Sequence, residues 1–234
     1  MEERIILLFV LAFLPPIIYS IWIRNTEKYN RERWRSIFFC FFWGASIAII
    51  ASIILELALG TIAVNVFEDD FIDIVLVVII APFAEELTKP LALRYNIVKR
   101  ELDELEDGLI YGAVAGLGFS ATENLFYGYD AFIQNGLLFF LVLITIRSFG
   151  GCLLHASATA WTGYGYGKAV MKHSSFVRVI PYFALAIFLH AFYNFLVTFE
   201  INGVVIGFFA AMFFVAFSIY YVRKKIRLLD MASG

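Results

Sequence analysis

Residues 81–90 read Ala-Pro-Phe-Ala-Glu-Glu-Leu-Thr-Lys-Pro, and they bring two adjacent carboxylates, Glu85 and Glu86, to the end of a long apolar run. Asp73 is the one charged residue in the preceding run, residues 71–80. A charge at the centre of a bilayer costs about 2.5–3.5 kcal/mol even on the lowest scales. A pair of carboxylates in such a setting therefore indicates chemistry, ion binding or pairing with partners elsewhere in the chain.

The chain as a whole has the composition of a membrane protein. Of its 234 residues, 62% are hydrophobic and 16% are charged, whereas about 25% of residues are charged in a typical soluble domain. The mean hydropathy is +0.82. These values predict an integral membrane protein surrounded by lipid. The net charge of −2 says nothing about nucleic acid, but no basic patch suggests binding to it, and we expect no nucleic-acid partner.

Seven apolar segments are long enough to cross the bilayer, which takes about 20 helical residues. Backbone groups find no water in lipid, so continuous runs of this kind must be helical. We therefore predict an all-α, polytopic membrane bundle of about seven transmembrane helices, forming one membrane-embedded domain over residues 1–234. The predicted segments are Ile5–Ile23, Ser36–Ala58, Phe71–Tyr95, Asp107–Tyr127, Gly136–Tyr164, Val177–Thr198 and Ile201–Val222.

The loops between these segments alternate in charge. Lys and Arg concentrate in the first, third and fifth loops and in the C-terminal tail, whereas the second, fourth and sixth loops are acidic. The positive-inside rule then predicts that the N-terminus is outside and the C-terminus inside. No cleavable signal peptide is evident, because the first apolar run is long enough to span. Residues 97–106 fit a short amphipathic helix and a solvated linker equally well.

The fourth segment combines a close-packing face with another carboxylate. Gly108, Gly112 and Gly116 recur every four residues, a spacing that lets a second helix approach closely. Glu123, followed by Asn124, lies at the edge of this face.

The fifth and sixth segments add polar side chains at helical spacings. His155 follows Arg147 by two turns, and His190 and Asn194 lie on one helical face because they are four residues apart. Arg147 has two interpretations: it pairs with a carboxylate, or it extends to the interface. We interpret three further polar residues as interfacial anchors: Glu56, Lys89 and Tyr127.

Six intramembrane polar residues from four helices are the predicted site: Glu85, Glu86, Glu123, His155, His190 and Asn194. Their convergence on one cavity is the simplest explanation for so many costly side chains. Because Glu85 and Glu86 lie about 100° apart around a helix, we expect distinct roles, one as base and the other as ligand or support.

Two chemical schemes fit these residues. In the first, a divalent metal such as zinc is held by Glu86, Glu123, His155 and His190 with a position left for water. In the second, a buried Glu activates water directly, and His190 and Asn194 stabilise the oxyanion. Both schemes predict hydrolysis of a carbonyl group within the membrane.

The motifs resemble the PrsW-type intramembrane proteases, which are similar in turn to the CAAX prenyl proteases and bacteriocin-processing proteins. The resemblance implies a protease core over residues 71–198 and a peptidase that depends on glutamate or a metal. It implies a single-span membrane protein as substrate, as in site-1 cleavage of an anti-sigma factor, and a prokaryotic plasma membrane as the location. Where the CAAX pattern centres its second motif on a His, this chain has Glu123. The resemblance rests on Glu85-Glu86-x-x-Lys89, on Glu123-Asn124 in a Gly-rich helix, on His155, and on His190-Ala191-x-x-Asn194.

Other functions remain as alternatives. An ion- or proton-coupled transporter or channel would use the same buried residues, although the sequence has no internal repeat or paired broken helices. A non-catalytic membrane scaffold of the same fold is a further alternative. Cys152 lies near His155 as another possible nucleophile, but nothing in its sequence surroundings favours the thiolate.

Overall fold

A computed structural model describes residues 2–198 and 204–233 of the chain. Within these residues every regular element is helical, which confirms the predicted all-α fold. The α-helices are α1 (Glu2–Arg24), α2 (Trp34–Trp43), α3 (Ile49–Val64), α4 (Asp69–Ile74), α5 (Ala81–Thr88), α6 (Asn96–Lys99), α7 (Leu105–Met171), α8 (Ile180–Thr198) and α9 (Val204–Ser233). Short π-helical segments (Gly44–Ala48 and Val75–Ile80) and 3-10 segments (Lys89–Arg94 and Phe176–Val179) join some of them.

The longest helix, α7, is a hairpin of two arms. Gly136 interrupts it with φ 82° and ψ −177°, a backbone conformation that glycine adopts without steric cost. We call residues 105–135 the first arm and residues 137–171 the second arm. The two arms supply the fourth and fifth predicted spans.

The first arm is the centre of the bundle, with residues 106–121 all buried. A Cβ added to Gly112 would lie 2.6 Å from the carbonyl oxygen of Thr159 on the second arm. Gly108 and Gly116 meet the backbone of the second arm in the same way. The predicted close-packing face is therefore confirmed, because only a helix without side chains there leaves room for the other backbone.

The third predicted span is irregular in a way that matters for the site. It consists of α4, the π-helical segment Val75–Ile80, α5 and the 3-10 segment Lys89–Arg94. Pro82, at the start of α5, has no backbone N–H to donate. The helix widens just before this proline, and a single turn later it presents Glu85 and Glu86.

Five helices of the described residues are long and apolar enough to cross a membrane, and α7 supplies two passes. With the broken third span, this agrees with about seven passes, and the protein is a multi-pass integral membrane protein. Large apolar side chains such as Phe38, Ile54 and Leu138 lie exposed on the outer faces of the helices, where lipid covers them. The predicted start of the seventh segment, Ile201, lies outside the described residues. Between residues 97 and 106, the amphipathic helix that the sequence allowed is reduced to the single turn α6.

Candidate active site

A cavity of about 590 Å³ lies between α3, the middle of the third span, both arms of α7, α8 and α9. This is within the usual size range for ligand sites in proteins. Five of the six predicted residues line it: Glu85, Glu123, His155, His190 and Asn194. The sixth, Glu86, is completely buried and lies against His190. Four helices thus bring all six side chains into one neighbourhood.

Three of these side chains bring together atoms that could bind a metal ion. One atom each from Glu85, His155 and His190 lies within 4.8 Å of the other two. Glu85 Oε2 is 3.7 Å from His155 Nδ1 and 3.9 Å from His190 Nε2. All three side chains are buried. Two imidazoles and one carboxylate at this spacing match the three-ligand set of catalytic zinc sites.

The opposite nitrogen of each imidazole is held by a carboxylate. His155 Nε2 lies 2.8 Å from Glu123 Oε2, and His190 Nδ1 lies 3.0 Å from Glu86 Oε1. The hydroxyl of Thr159 donates to the second oxygen of Glu86 at 2.8 Å. A ring nitrogen that donates to a carboxylate leaves the other nitrogen as an acceptor, so both lone pairs face Glu85.

This arrangement differs from the metal ligands suggested by the sequence. There, Glu86 and Glu123 accompanied the two histidines, whereas the structure places Glu85 with them and turns Glu86 and Glu123 to the outer nitrogens. The sequence left the roles of Glu85 and Glu86 open because neighbours on a helix point in different directions. Glu85 is the member of the pair that faces the cavity.

Lys89 is not an interfacial anchor, and that interpretation of the sequence is wrong. Its side chain is completely buried, and Nζ lies 2.8 Å from Glu85 Oε2 and 2.9 Å from Glu86 Oε1. The same Nζ is 2.8 Å from His155 Nδ1 and 4.3 Å from the centre of the Phe119 ring. The spacing Glu-Glu-x-x-Lys contained the signal, since residues three and four apart meet on one helical face.

Arg147 adopts the first of its two predicted roles. Its Nη2 lies 2.8 Å from Glu123 Oε2, and its Nε donates to Asn124 Oδ1 at 2.9 Å. The guanidinium also lies 4.0 Å from the centre of the Tyr127 ring. Glu123 therefore bonds two partners, His155 and Arg147, and its orientation is fixed by both.

Asn194 supports the backbone of the irregular third span. Its amide nitrogen donates to the carbonyl oxygen of Val77 at 3.0 Å. In the π-helical segment, Ala81 N–H bonds five residues back to Leu76, so the next donor in the series would be Pro82, which has no N–H. Asn194 supplies the missing donor. One N–H of the Asn194 amide is therefore used by this carbonyl, and Asn194 also lines the cavity.

Thr159 and Glu56 belong to the site but were not predicted as site residues, whereas Cys152, considered as a nucleophile, bonds Ser120 and Asn124. Thr159 is four residues after His155 on the same face of the second arm, a spacing that could have identified it. Glu56 lines the cavity from the middle of α3, and no sequence motif marked it. Cys152 is fully buried, and its Sγ accepts hydrogen bonds from Ser120 Oγ at 3.4 Å and from Asn124 Nδ2 at 3.3 Å.

Comparison with known proteins identifies the family of this chain. The profile of the PrsW family intramembrane metalloproteases matches residues 32–221, which is most of the chain. The chain belongs to this family. Protease PrsW of Clostridioides difficile (strain 630) is 33% identical to it over 121 residues. That match covers 51% of this chain and 50% of the relative, so the chain spans about half of the relative's length. No solved structure matches the chain.

Proposed function

We propose that this chain is an intramembrane peptidase that hydrolyses a peptide bond of a membrane-anchored protein inside the cavity. The observation that carries this proposal is the convergence of Glu85, His155 and His190, each imidazole held from behind by a carboxylate. The family description as intramembrane metalloproteases and the PrsW relative support it.

The donor set fits a divalent metal, and zinc is the ion that favours it. Glu85, His155 and His190 would hold zinc, because two nitrogens and one oxygen within 4.8 Å are its usual three protein ligands in catalytic sites. When bound, zinc supplies a water that is nucleophilic near neutral pH and polarises the substrate carbonyl. The family's description as metalloproteases supports this scheme over the one that uses glutamate alone.

The surrounding residues of the chain have supporting roles in this scheme. Glu123 and Glu86 fix the orientation and tautomer of the two imidazoles, and Arg147 holds Glu123 in place. Lys89 balances the charge of the adjacent glutamates, but its ammonium contacts the same atoms of Glu85 and His155 that an ion would need. Lys89 and a metal ion would therefore compete for Glu85 Oε2 and His155 Nδ1.

In the alternative scheme, the base is Glu85 rather than Glu86. Both oxygens of Glu86 are already bonded, one to Lys89 and His190 and the other to Thr159. Glu85 faces the cavity, where a water and a substrate carbonyl can reach it. A general base must lie within hydrogen-bond reach of the proton that it takes.

A groove that joins the cavity supports a single-span membrane protein as the proposed substrate. The groove measures about 620 Å³, lies between α3 and the third span, and shares Ile53, Glu56 and Leu76 with the cavity. Its other lining is mostly apolar, and Gly60 lies within it. A single transmembrane helix of a substrate could lie in this groove and place its backbone next to Glu56. Site-1 cleavage of an anti-sigma factor, in a prokaryotic plasma membrane, is one reaction of this class.

Cleavage of a single-span test protein by purified, reconstituted protein tests this function. We expect cleavage of the anchored substrate but not of the same sequence without its membrane segment. Glu85→Gln should lower the rate about 10²–10⁴-fold, the usual contribution of a group that activates water. A chelator should lower it similarly if the metal scheme holds.

The matched control is Glu68→Gln, which neutralises an exposed carboxylate in the loop before α4 and should leave the rate unchanged. If Glu85→Gln cleaves the anchored substrate at the wild-type rate, the proposed site is wrong. If the wild-type protein cleaves nothing but drives cation uptake that Glu85→Gln abolishes, the transporter alternative is correct.

A further inference from the structure

A second cluster of buried carboxylates lies away from the cavity, where three parts of the chain meet. These parts are the α1–α2 loop (residues 25–33), the start of the first arm and the end of α9. Glu27, Glu106 and Asp230 are each no more than 1% exposed, and one oxygen of each lies within 4.8 Å of the others. Residue 106 is 17 residues before Glu123 on the same helix, a distance of about 25 Å along its axis. This cluster is therefore separate from the cavity.

Glu27 has a buried oxygen without a partner. Its Oε2 accepts from the backbone N–H of Glu32 at 3.1 Å, but its Oε1 has no hydrogen-bond partner and is shielded from solvent. A buried carboxylate oxygen left unsatisfied costs about 1–3 kcal/mol or more. Native proteins rarely retain such a group unless a water or an ion completes it.

Three arginines near this carboxylate bond other oxygens instead of its own. Arg31 donates to the backbone carbonyl of Glu27, Arg24 donates to the backbone carbonyl of Glu32, and Arg223 donates to the hydroxyl of Thr26. Among the described residues, Glu27 makes no ion pair with Lys or Arg. Burial raises the pKa of Glu27 to about 8, which is what a carboxylate without a nearby positive partner shows.

The other acidic groups nearby have structural explanations. Asp107 Oδ2 accepts from the backbone N–H groups of Asp103 and Glu104, so it caps the start of α7. Glu32 bonds the hydroxyl of Tyr111. Asp230 accepts from the backbone N–H groups of Lys28 and Tyr29 at 3.0 and 3.1 Å. These bonds hold the Asp230 carboxylate in place beside Glu27.

We propose that Glu27, Glu106 and Asp230 form a binding site for a hard divalent cation, Ca²⁺ or Mg²⁺, that ties the end of α9 to the α1–α2 loop and the first arm. The ligands are oxygens only, which both of these ions prefer, whereas zinc favours the nitrogen-containing set in the cavity. Such an ion would bond the unpartnered oxygen of Glu27. Glu27 and Asp230 lie outside residues 32–221, which match the family profile. The site therefore adds to what the family comparison describes.

Thermal unfolding of the purified full-length protein tests this site. After chelation and removal of metals, Ca²⁺ or Mg²⁺ is titrated as the chloride, and the melting temperature is measured. Ion binding to the folded state alone should raise it by about 5 °C or more at 100 times the dissociation constant. Separate titrations show which of the two ions binds more tightly.

Glu27→Gln and Asp230→Asn should each abolish the rise in melting temperature that Ca²⁺ or Mg²⁺ produces. Glu101→Gln, which neutralises an acidic residue paired with Arg33 at the surface of the same end, should retain it, as should Glu85→Gln in the cavity. Terbium luminescence, excited through nearby tyrosine and tryptophan, reads binding directly and should disappear in Glu27→Gln even if that variant is less stable. A wild-type protein that neither binds terbium nor gains stability with Ca²⁺ or Mg²⁺ would overturn the proposal. So would retention of both effects in Asp230→Asn.

Discussion

Two clusters of buried acidic side chains in this molecule have their charge compensated in different ways. In the cavity, Lys89 contacts Glu85 and Glu86, and Arg147 contacts Glu123. In the cluster of Glu27, Glu106 and Asp230, the unpartnered oxygen belongs to Glu27, and the neighbouring arginines bond backbone and hydroxyl oxygens instead.

The difference shows that different kinds of partner, either cationic side chains or backbone N–H groups, can stabilise buried carboxylates. The cavity carries its own cations, so its carboxylates can orient histidines without any bound ion. In the second cluster, backbone N–H groups bond both oxygens of Asp230 and one oxygen of Glu27, and for Glu27 they fix the geometry without supplying a full positive charge. An ion would therefore be optional for stability in the first cluster and a substantial stabiliser of the second.

Of the substitutions that test this comparison, replacement of Lys89, the cation buried beside the cavity, should have the largest effect on stability. Lys89→Met leaves Glu85 and Glu86 buried without their shared partner, and breaking a buried pair in this way costs about 3–5 kcal/mol. Zinc should restore part of this stability, because Lys89 and the metal compete for the same donors. The free energy of unfolding, with and without zinc, is the measurement.

The matched control is Lys28→Met in the α1–α2 loop, whose exposed side chain should change stability by no more than about 0.5 kcal/mol. If Lys89→Met were as stable as the wild type in the absence of zinc, the cavity would not depend on its internal cation. The contrast between the two clusters would then be lost.

Removing the carboxylate behind His155 should have an intermediate effect. Glu123→Gln weakens the bond to His155 Nε2 and the ion pair with Arg147. Loss of such a partner typically lowers metal affinity or activity 10–100-fold. Zinc affinity and kcat, measured separately, should both fall, whereas Ca²⁺ or Mg²⁺ stabilisation of the second cluster should be unchanged. A variant with wild-type zinc affinity and kcat would show that Glu123 does not orient the histidine.

Removing the backbone support of the cavity should have the smallest effect. Asn194→Ala leaves the buried carbonyl of Val77 without a donor, which costs about 1–3 kcal/mol, and we expect kcat to fall only a few-fold because Glu85 shifts slightly. Gln134→Ala is the matched control, since the Gln134 amide donates to Asp130 Oδ1 at an exposed position away from the cavity and the groove. If both substitutions have equal effects on stability and kcat, Asn194 does not position the third span.

Much of the fold could be predicted from the sequence because lipid limits the choices of the backbone. Long apolar runs have to be helical in a bilayer, and Gly108, Gly112 and Gly116 predict one close helix contact, which the structure shows with the second arm. The irregular third span was harder to anticipate. A π-helical segment depends on Pro82 and on a donor from Asn194, which is more than a hundred residues away in the chain.

The sequence by itself determined a helical membrane protein whose costly polar residues occur on four helices, since composition and helical spacing depend only on local chemistry. Only the tertiary structure decided that Glu85 rather than Glu86 faces the cavity, that Lys89 is buried against both glutamates and His155, and that Glu27 meets Asp230. Each of these depends on the direction of a side chain relative to a distant helix. Periodicity gives the face of a residue on its own helix, but the packing of the helices decides what that face meets.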